Sequence, residues 1–233
     1  MMDDFTRTLI MDTSGRIGQV GVAQGERVVA VRRLEESRRH ARDLASAVSA
    51  LIGARGWRAR DLTAVIVGIG PGSFTGLRVG LASAKTLAYA VGCPIYGVPT
   101  FEGIIQQLPE EATRAVALAD ALQGRVYVEE FARATDAGRW VNVRPLAIRS
   151  FAEWRRGAPA GAWITGPGAA LHNGELEGVF PIAAAEDREP RAEGLLRSAL
   201  EEPGRWRCDP VLLEPIYLRG SSAEEKRKRE GGG

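Results

Sequence analysis

One segment of this chain occurs twice, and the repetition restricts the folds that the chain can adopt. The apolar run Thr8–Asp12 ends in an aspartate, and a Gly-Arg turn then leads into a second apolar run. The same order recurs from Ala115–Asp120 through the turn at Gly124 to Arg125–Ala132. A strand, an aspartate, a turn and a returning strand, repeated, predict two α/β lobes in a duplicated fold. Such units are common, so a chance match is the alternative.

Between the two copies, the apolar pattern alternates between strand and helix. The dense run Leu62–Ile69 predicts a strand that is buried on both faces, and Ile95–Val98 predicts another short strand. Apolar residues at intervals of three and four predict a helix over Ser37–Ile52. Ser73 is a suitable N-cap for a further helix that continues to about Ala90.

The pattern is interrupted near Leu108–Thr113, where Pro-Glu-Glu follows the last apolar helix. We therefore predict an N-terminal lobe over residues 1–108 and a smaller C-terminal lobe over residues 109–220, each with a mixed sheet flanked by helices. Residues 221–233 contain no large apolar side chain and are predicted to form a disordered tail.

Composition excludes several classes of protein. The chain is 45% hydrophobic, yet no apolar run approaches the ~18 residues of a membrane span. A net charge of +2 does not indicate a nucleic-acid surface. Cys93 and Cys208 are too few for a disulfide framework, and His40 and His172 do not complete a Cys/His metal cage with them. A peptidase lacks support, because the chain has no GxSxG elbow and a Ser-His-Asp triad could use only His40 or His172. We expect a cytoplasmic protein with no membrane contact, no bound metal and no required cofactor.

The two aspartate turns are the first candidates for chemistry. A carboxylate at a strand end, beside hydroxyls and a glycine, can hold a metal-bound phosphate on backbone N–H groups. The alternative is an Asx turn, in which the carboxylate accepts hydrogen bonds from its own loop. Gly-Pro-Gly at 166–168 would lie near the adenine in the first interpretation. The candidate residues of this degenerate nucleotide cleft are Asp12, Thr13, Ser14, Asp120, Gly124, Gly166 and Gly168.

The segment Gly70–Gly80 is the densest motif of the chain. It leads a glycine-rich turn into a helix, but it lacks the lysine of a P-loop and the spacing of a dinucleotide fingerprint. Small residues recur every four positions at Gly76, Gly80, Ala84 and Ala88, and such a face allows close packing. The face packs either on the chain's own sheet or on an external partner helix. In the second case, leucine at Gly80 would leave the fold intact and block the partner.

Four segments occur in an order that resembles a known family: Ile10–Ser14, Gly68–Gly80, Asp120–Tyr127 and Glu214–Arg219. Together they are similar to the TsaB (YeaZ) family of bacterial tRNA threonylcarbamoyladenosine biosynthesis proteins. The resemblance spans about residues 8–219, and Gly68–Gly80 is its most specific part.

This resemblance implies the duplicated actin/Hsp70/sugar-kinase-like (ribonuclease H-like) fold. It also implies a non-catalytic subunit that forms a heterodimer with the catalytic paralogue TsaD, with the ATPase TsaE joining the assembly. Such a subunit forms a homodimer when TsaD is absent and contacts tRNA only through the complex. ATP or ADP is then bound by the assembled complex and is not required by this subunit itself. The alternative function is an active nucleotide-dependent phosphotransferase or ATPase of the actin-like superfamily, in which Asp12 and Asp120 organise Mg²⁺ and phosphates.

The resemblance further implies a partner interface on two helices, Ser37–Ile52 and Gly76–Ala90. The residues predicted for this interface are His40, Leu44, Val48, Leu51, Gly76, Leu77, Gly80, Leu81 and Ala84.

Overall fold

Two mixed β-sheets organise the chain in the computed structural model, which describes residues 2–34, 40–134 and 138–218. The first sheet has the strand order β10-β5-β4-β1-β2-β3. Its strands are β1 (Thr8–Asp12), β2 (Gln19–Gln24), β3 (Arg27–Arg33), β4 (Ala64–Gly68), β5 (Ile95–Val98) and β10 (Arg207–Cys208). The helices associated with it are α1 (His40–Ala54), α2 (Phe74–Val91), α3 (Thr100–Ile105), α7 (Ala192–Glu201) and α8 (Pro203–Trp206).

The second sheet has the strand order β8-β7-β6-β9. Its strands are β6 (Arg114–Asp120), β7 (Arg125–Arg133), β8 (Trp140–Ser150) and β9 (Trp163–Thr165). The short helices beside it are α4 (Phe151–Arg156), α5 (Pro167–Leu171) and α6 (Asn173–Leu176). Helix α3 connects the two halves, because its apolar residues Phe101, Ile104 and Ile105 pack with the second sheet while the helix also contacts α7.

The sheet topology confirms the duplicated α/β fold. Strand β1 pairs antiparallel with β2 and parallel with β4. Strand β6 pairs antiparallel with β7 and parallel with β9 in the same arrangement. The two aspartate turns, at the ends of β1 and β6, therefore occupy corresponding places in the two lobes.

Strand β1 shows why the first sheet carries helices on both faces. All five of its residues are buried, as the apolar run predicts. Leu9 and Met11 pack with α1 and α2 on one face, whereas Ile10 packs with α7 on the other. Because side chains alternate along a strand, a continuous apolar run requires a cover on each side.

The C-terminal part of the chain returns to the first lobe. Residues 109–220 were predicted as one lobe, but α7, α8 and β10 pack on the first sheet, so that prediction is wrong for residues 192–208. Apolar side chains of α7 pack on one face of the first sheet and complete the core there, and this packing holds the C-terminal segment against the first lobe. The predicted tail at 221–233 and the first residues of the predicted helix Ser37–Ile52 lie outside the described residues. Among the described helices, none has the length and apolar character that a membrane crossing requires.

Two buried carboxyl groups lie where α3 meets the second sheet. Glu102 on α3 pairs with Arg205 at 2.9 Å, and Glu129 on β7 accepts a hydrogen bond from Asn142. Burial, together with the nearby Glu102, raises the pKa of Glu129 to about 8. The folded chain therefore retains a proton on Glu129 at pH values where an unfolded chain has lost it.

We expect Glu129→Gln to stabilise the chain at pH 8. Because the folded-state pKa of Glu129 is raised, its contribution is fully present below about pH 4.5 and is lost as the pH rises towards about 8. Glutamine keeps a hydrogen-bonding side chain without the buried charge, so the free energy of unfolding should rise by about 2 kcal/mol at pH 8. Urea unfolding at pH 5, 6, 7 and 8 measures this, with the exposed Glu153→Gln as control. Equal gains at pH 5 and pH 8 would contradict it.

Candidate functional site

A cleft of about 990 Å³ lies between the two lobes. It opens at the carboxyl ends of β1 and β6, where ligands of α/β proteins commonly bind. Ser14 and Arg16 line it from the first aspartate turn, and Asp120 lines it from the second. The start of α2, the start of α5 and the segment around Glu189 complete its walls.

The carboxylate of Asp12 forms hydrogen bonds inside the protein. Its Oδ1 accepts hydrogen bonds from the Ser14 backbone N–H at 2.8 Å and from Ser14 Oγ at 2.6 Å, and its Oδ2 accepts one from Thr100 Oγ1 at 3.0 Å. The side chain is 1% exposed. Burial raises the pKa of Asp12, while these hydrogen bonds act to lower it. Of the two interpretations of this segment, the geometry fits the Asx turn. Asp12 lies behind the cleft surface and does not line it.

We expect Asp12→Ala to destabilise the chain by about 2–3 kcal/mol. The substitution would leave the Ser14 amide and hydroxyl and the Thr100 hydroxyl without their buried acceptor. Chemical denaturation measures the loss, and Asp120→Ala is the matched control, because the same turn is exposed in the second lobe. Equal, small effects of the two substitutions would contradict a structural role for Asp12.

The start of α2 is held against the first aspartate turn. The Ser73 N–H donates to the Ser14 carbonyl at 2.7 Å, and the Gly76 N–H donates to Ser73 Oγ at 3.2 Å. Ser73 is therefore the N-cap of α2, as predicted. Three of the amides at this helix start, those of Ser73, Gly76 and Leu77, are therefore engaged within the chain and are not available to an anion.

Two glycines of α2, Gly76 and Gly80, allow this helix to pack closely against the end of β1. Thr13 Oγ1 donates to the Gly76 carbonyl at 2.7 Å. A Cβ atom on Gly76 would overlap the Thr13 carbonyl oxygen, and one on Gly80 would overlap Thr13 Oγ1, both well inside 3.0 Å. Glycine is required here because the helix packs directly on the end of β1. Of the two interpretations of the small-residue face, packing on the chain's own sheet is confirmed, and the open groove for a partner helix is wrong.

The same packing affects the predicted interface residues. Leucine at Gly80 would strike Thr13 rather than a partner, so the expectation of an intact fold is also wrong. Leu51 is half-buried, and the His40 side chain lies outside the described residues. A partner cannot reach side chains that the chain itself covers. The residues of the predicted interface that are buried in the core are Leu44, Val48, Gly76, Leu77, Gly80, Leu81 and Ala84.

The second aspartate turn repeats the first with different side chains. Asp120 Oδ1 accepts a hydrogen bond from the Leu122 N–H at 2.7 Å, which makes a second Asx turn. Leu122, Gln123 and Gly124 follow with φ of 62°, 58° and 69°. Gly166 and Gly168 let α5 approach the end of β6, because a Cβ atom at either would collide with the backbone of residues 118–119.

Comparison with known proteins identifies the family. The family model described as TsaD, tRNA N6-adenosine threonylcarbamoyltransferase, matches residues 34–143. The tRNA threonylcarbamoyladenosine biosynthesis protein TsaB of Escherichia coli is 31% identical over 196 residues, which cover 81% of this chain and 84% of that protein. The chain belongs to the TsaB family. This membership supports a role in tRNA threonylcarbamoyladenosine biosynthesis.

The chain is also similar to two further proteins. An uncharacterised protein of Mycobacterium tuberculosis is 33% identical over 203 residues, covering 87% of this chain and 83% of that protein. The solved structure of YeaZ from Pseudomonas aeruginosa superposes with a TM-score of 0.77 at 24% identity, covering 91% of this chain and all of that one. That structure shows the same fold as this TsaB-family chain.

The TsaB-family cleft contains only part of the predicted site. Ser14 and Asp120 line the same cavity, as predicted, whereas Asp12 is buried behind it. Sequence reasoning missed Glu189, which lines the cleft from a segment that carries no motif. Burial and the nearby Asp12 raise the pKa of Glu189, while Arg33 and Arg16 lower it.

Proposed function

We propose that this chain is a non-catalytic subunit that binds TsaD in tRNA threonylcarbamoyladenosine biosynthesis, with TsaE as a further component. The observation that carries the proposal is the outer surface of two neighbouring helices. Helices α1 and α2 pack side by side on the first sheet, and each turns one face outward. Arg78 is exposed at one end of the α2 face. We name the uncharged exposed residues of the two faces the helix-pair surface: Ala45, Ser46, Ser49, Ala50 and Gly53 of α1 with Ala82, Thr86, Tyr89 and Ala90 of α2.

The helix-pair surface has the chemistry of an interface. From Leu44 to Ala54, α1 carries no charged side chain, although helix faces in contact with water normally carry several. On α2, Tyr89 is 82% exposed, and aromatic residues of this kind are common interface anchors. Lys85 donates from Nζ to the carbonyls of Val211 and Leu213, so the C-terminal segment engages its charge.

The relationship to TsaD supports a paired assembly. A TsaD family model matches almost the whole first lobe after β3, including α1 and α2. When two paralogues share these helices, the same surface can pair around an approximate twofold axis in a heterodimer or, without TsaD, in a homodimer. About 800 Å² buried on each partner is typical of a stable interface. Contact with tRNA then comes through the complex.

The aspartate turns support the non-catalytic part of the proposal. Asp12 is buried and its carboxylate accepts hydrogen bonds from Ser14 and Thr100, so it is not directed into the cleft, whereas Asp120 is exposed and lines it. A phosphotransferase of the alternative function would need these carboxylates directed at Mg²⁺ and phosphate. ATP or ADP in the assembly is then bound by the other subunits.

Three measurements on this chain test the proposal. Size-exclusion chromatography with light scattering should show a dimer alone and a heterodimer with TsaD. Threonylcarbamoyl transfer to tRNA by TsaD and TsaE should depend on adding this chain. The isolated chain should not hydrolyse Mg-ATP. Transfer at full rate without the chain, or no complex with TsaD, would overturn the proposal, and hydrolysis by the chain alone that is lost in Asp120→Ala would support the phosphotransferase instead.

A further inference from the structure

The mouth of the interlobe cleft is lined by large apolar side chains that are exposed to solvent. Ile17 is 40% exposed, Leu122 52%, Leu171 65% and Tyr217 42%. They come from four separate segments and from both lobes, and all four line the same cavity. Single exposed apolar residues need no explanation, but a group gathered around one cleft indicates a binding surface.

Leu122 is held at this mouth by an unfavourable backbone. Its φ of 62° places a branched, bulky residue in the left-handed region, which costs roughly 1–2 kcal/mol. Asp120 stabilises this conformation by accepting the Leu122 N–H. Strain of this kind persists where the surrounding structure supports it, commonly at ligand sites.

The charges inside the cleft oppose a polyphosphate. Asp120 and Glu189 line the cavity together with Arg16. Glu189 Oε2 is buried and accepts no hydrogen bond from any described residue. A buried carboxylate oxygen without a donor is costly, and a turn of the Glu189 side chain towards a ligand N–H group in the cleft would remove that cost.

We propose that the cleft binds a small organic cation with an apolar body, its ammonium or amidinium group at Glu189 and Asp120 and its body against Ile17, Leu122, Leu171 and Tyr217. The volume of about 990 Å³ is at the upper end of the usual range for small-molecule sites. The cleft shares no residue with the helix-pair surface, so this inference stands independently of binding to TsaD.

Isothermal titration calorimetry with four probes tests the chemical class. Tryptamine carries an indole ring and an ammonium group, indole-3-ethanol is neutral, indole-3-acetate is an anion, and Mg-ATP is the nucleotide. We expect tryptamine to bind with a Kd below about 1 mM and at least tenfold more tightly than the neutral alcohol, with the anion and Mg-ATP weaker still. Equal binding of the alcohol, preferential binding of Mg-ATP, or no binding of tryptamine would overturn the proposal.

Three variants locate the site. Glu189→Gln should weaken tryptamine about tenfold without affecting the neutral alcohol, and Leu171→Ser should weaken both compounds. Val179→Ser removes a comparable apolar side chain, 59% exposed and outside the cleft, and should change neither. Asp120→Asn, at an exposed position, replaces Glu189→Gln if that variant does not fold. Unchanged tryptamine affinity in Leu171→Ser and in the carboxylate variant would place the ligand elsewhere and overturn the proposal.

Discussion

Gly80→Leu is expected to lower the free energy of unfolding by more than ~3 kcal/mol, enough to remove much of the stability of a domain of this kind. The reason is the contact between α2 and the end of β1. A Cβ atom at Gly80 would overlap Thr13 Oγ1, and the rest of a leucine side chain would force the helix away from the strand. That movement would also break the hydrogen bond between Thr13 and the Gly76 carbonyl.

Urea denaturation of the isolated chain measures the effect of Gly80→Leu. Ala152→Leu is the control, because residue 152 is an exposed helix position outside the helix-pair surface and leucine is a good helix former. This control should change the free energy of unfolding by less than ~0.5 kcal/mol. If Gly80→Leu unfolds at the same urea concentration as the control, the inward packing of the α2 glycines is wrong.

A double substitution, Ala50→Arg with Ala82→Arg, is expected to weaken the complex with TsaD by about 100-fold or more. Each arginine would place a long, charged side chain on the uncharged helix-pair surface, where it would be buried without a partner in the complex. The isolated chain should remain folded, because both positions are exposed and arginine is favourable in helices. Titration of TsaD into the variant measures the loss.

The control for the double substitution is Ala152→Arg, an exposed alanine on α4 in the second lobe. It introduces one arginine outside the helix-pair surface and should leave the affinity for TsaD unchanged. An unaltered affinity in the double variant would show that TsaD docks elsewhere. Such a result would leave the family assignment intact, because that assignment rests on sequence identity to TsaB of Escherichia coli.

Much of the fold was predictable because the strands of this chain have simple signals. The apolar run of β1 ends at Asp12, and β5 has the predicted bounds Ile95–Val98. Burial on both faces of β1 required every residue to be apolar or to find partners within the chain. The bounds and burial of these strands depend on the residues of each strand itself, so the apolar pattern was sufficient to predict them.

The neighbour that packs against the small-residue face of α2 was not predictable from the spacing of the small residues. A run of small residues permits close approach, but it does not say whether the neighbour is a strand of the same chain or a helix of another. The answer depends on Thr13, which is 63 positions before Gly76. Glu189 was not predicted as a cleft residue because it is far from both aspartate turns in the sequence. Only folding brings it close to them.

The return of α7, α8 and β10 to the first sheet has a consequence for synthesis on the ribosome. Ile10, Ile66 and Tyr96 are made early, yet the side chains that cover them, such as Leu195 and Trp206, are made near the end. A nascent first lobe therefore exposes one apolar face of its sheet until almost the whole polypeptide has emerged. A fragment that ends near residue 108 would lack α7, α8 and β10 and would leave that apolar face exposed, which favours aggregation.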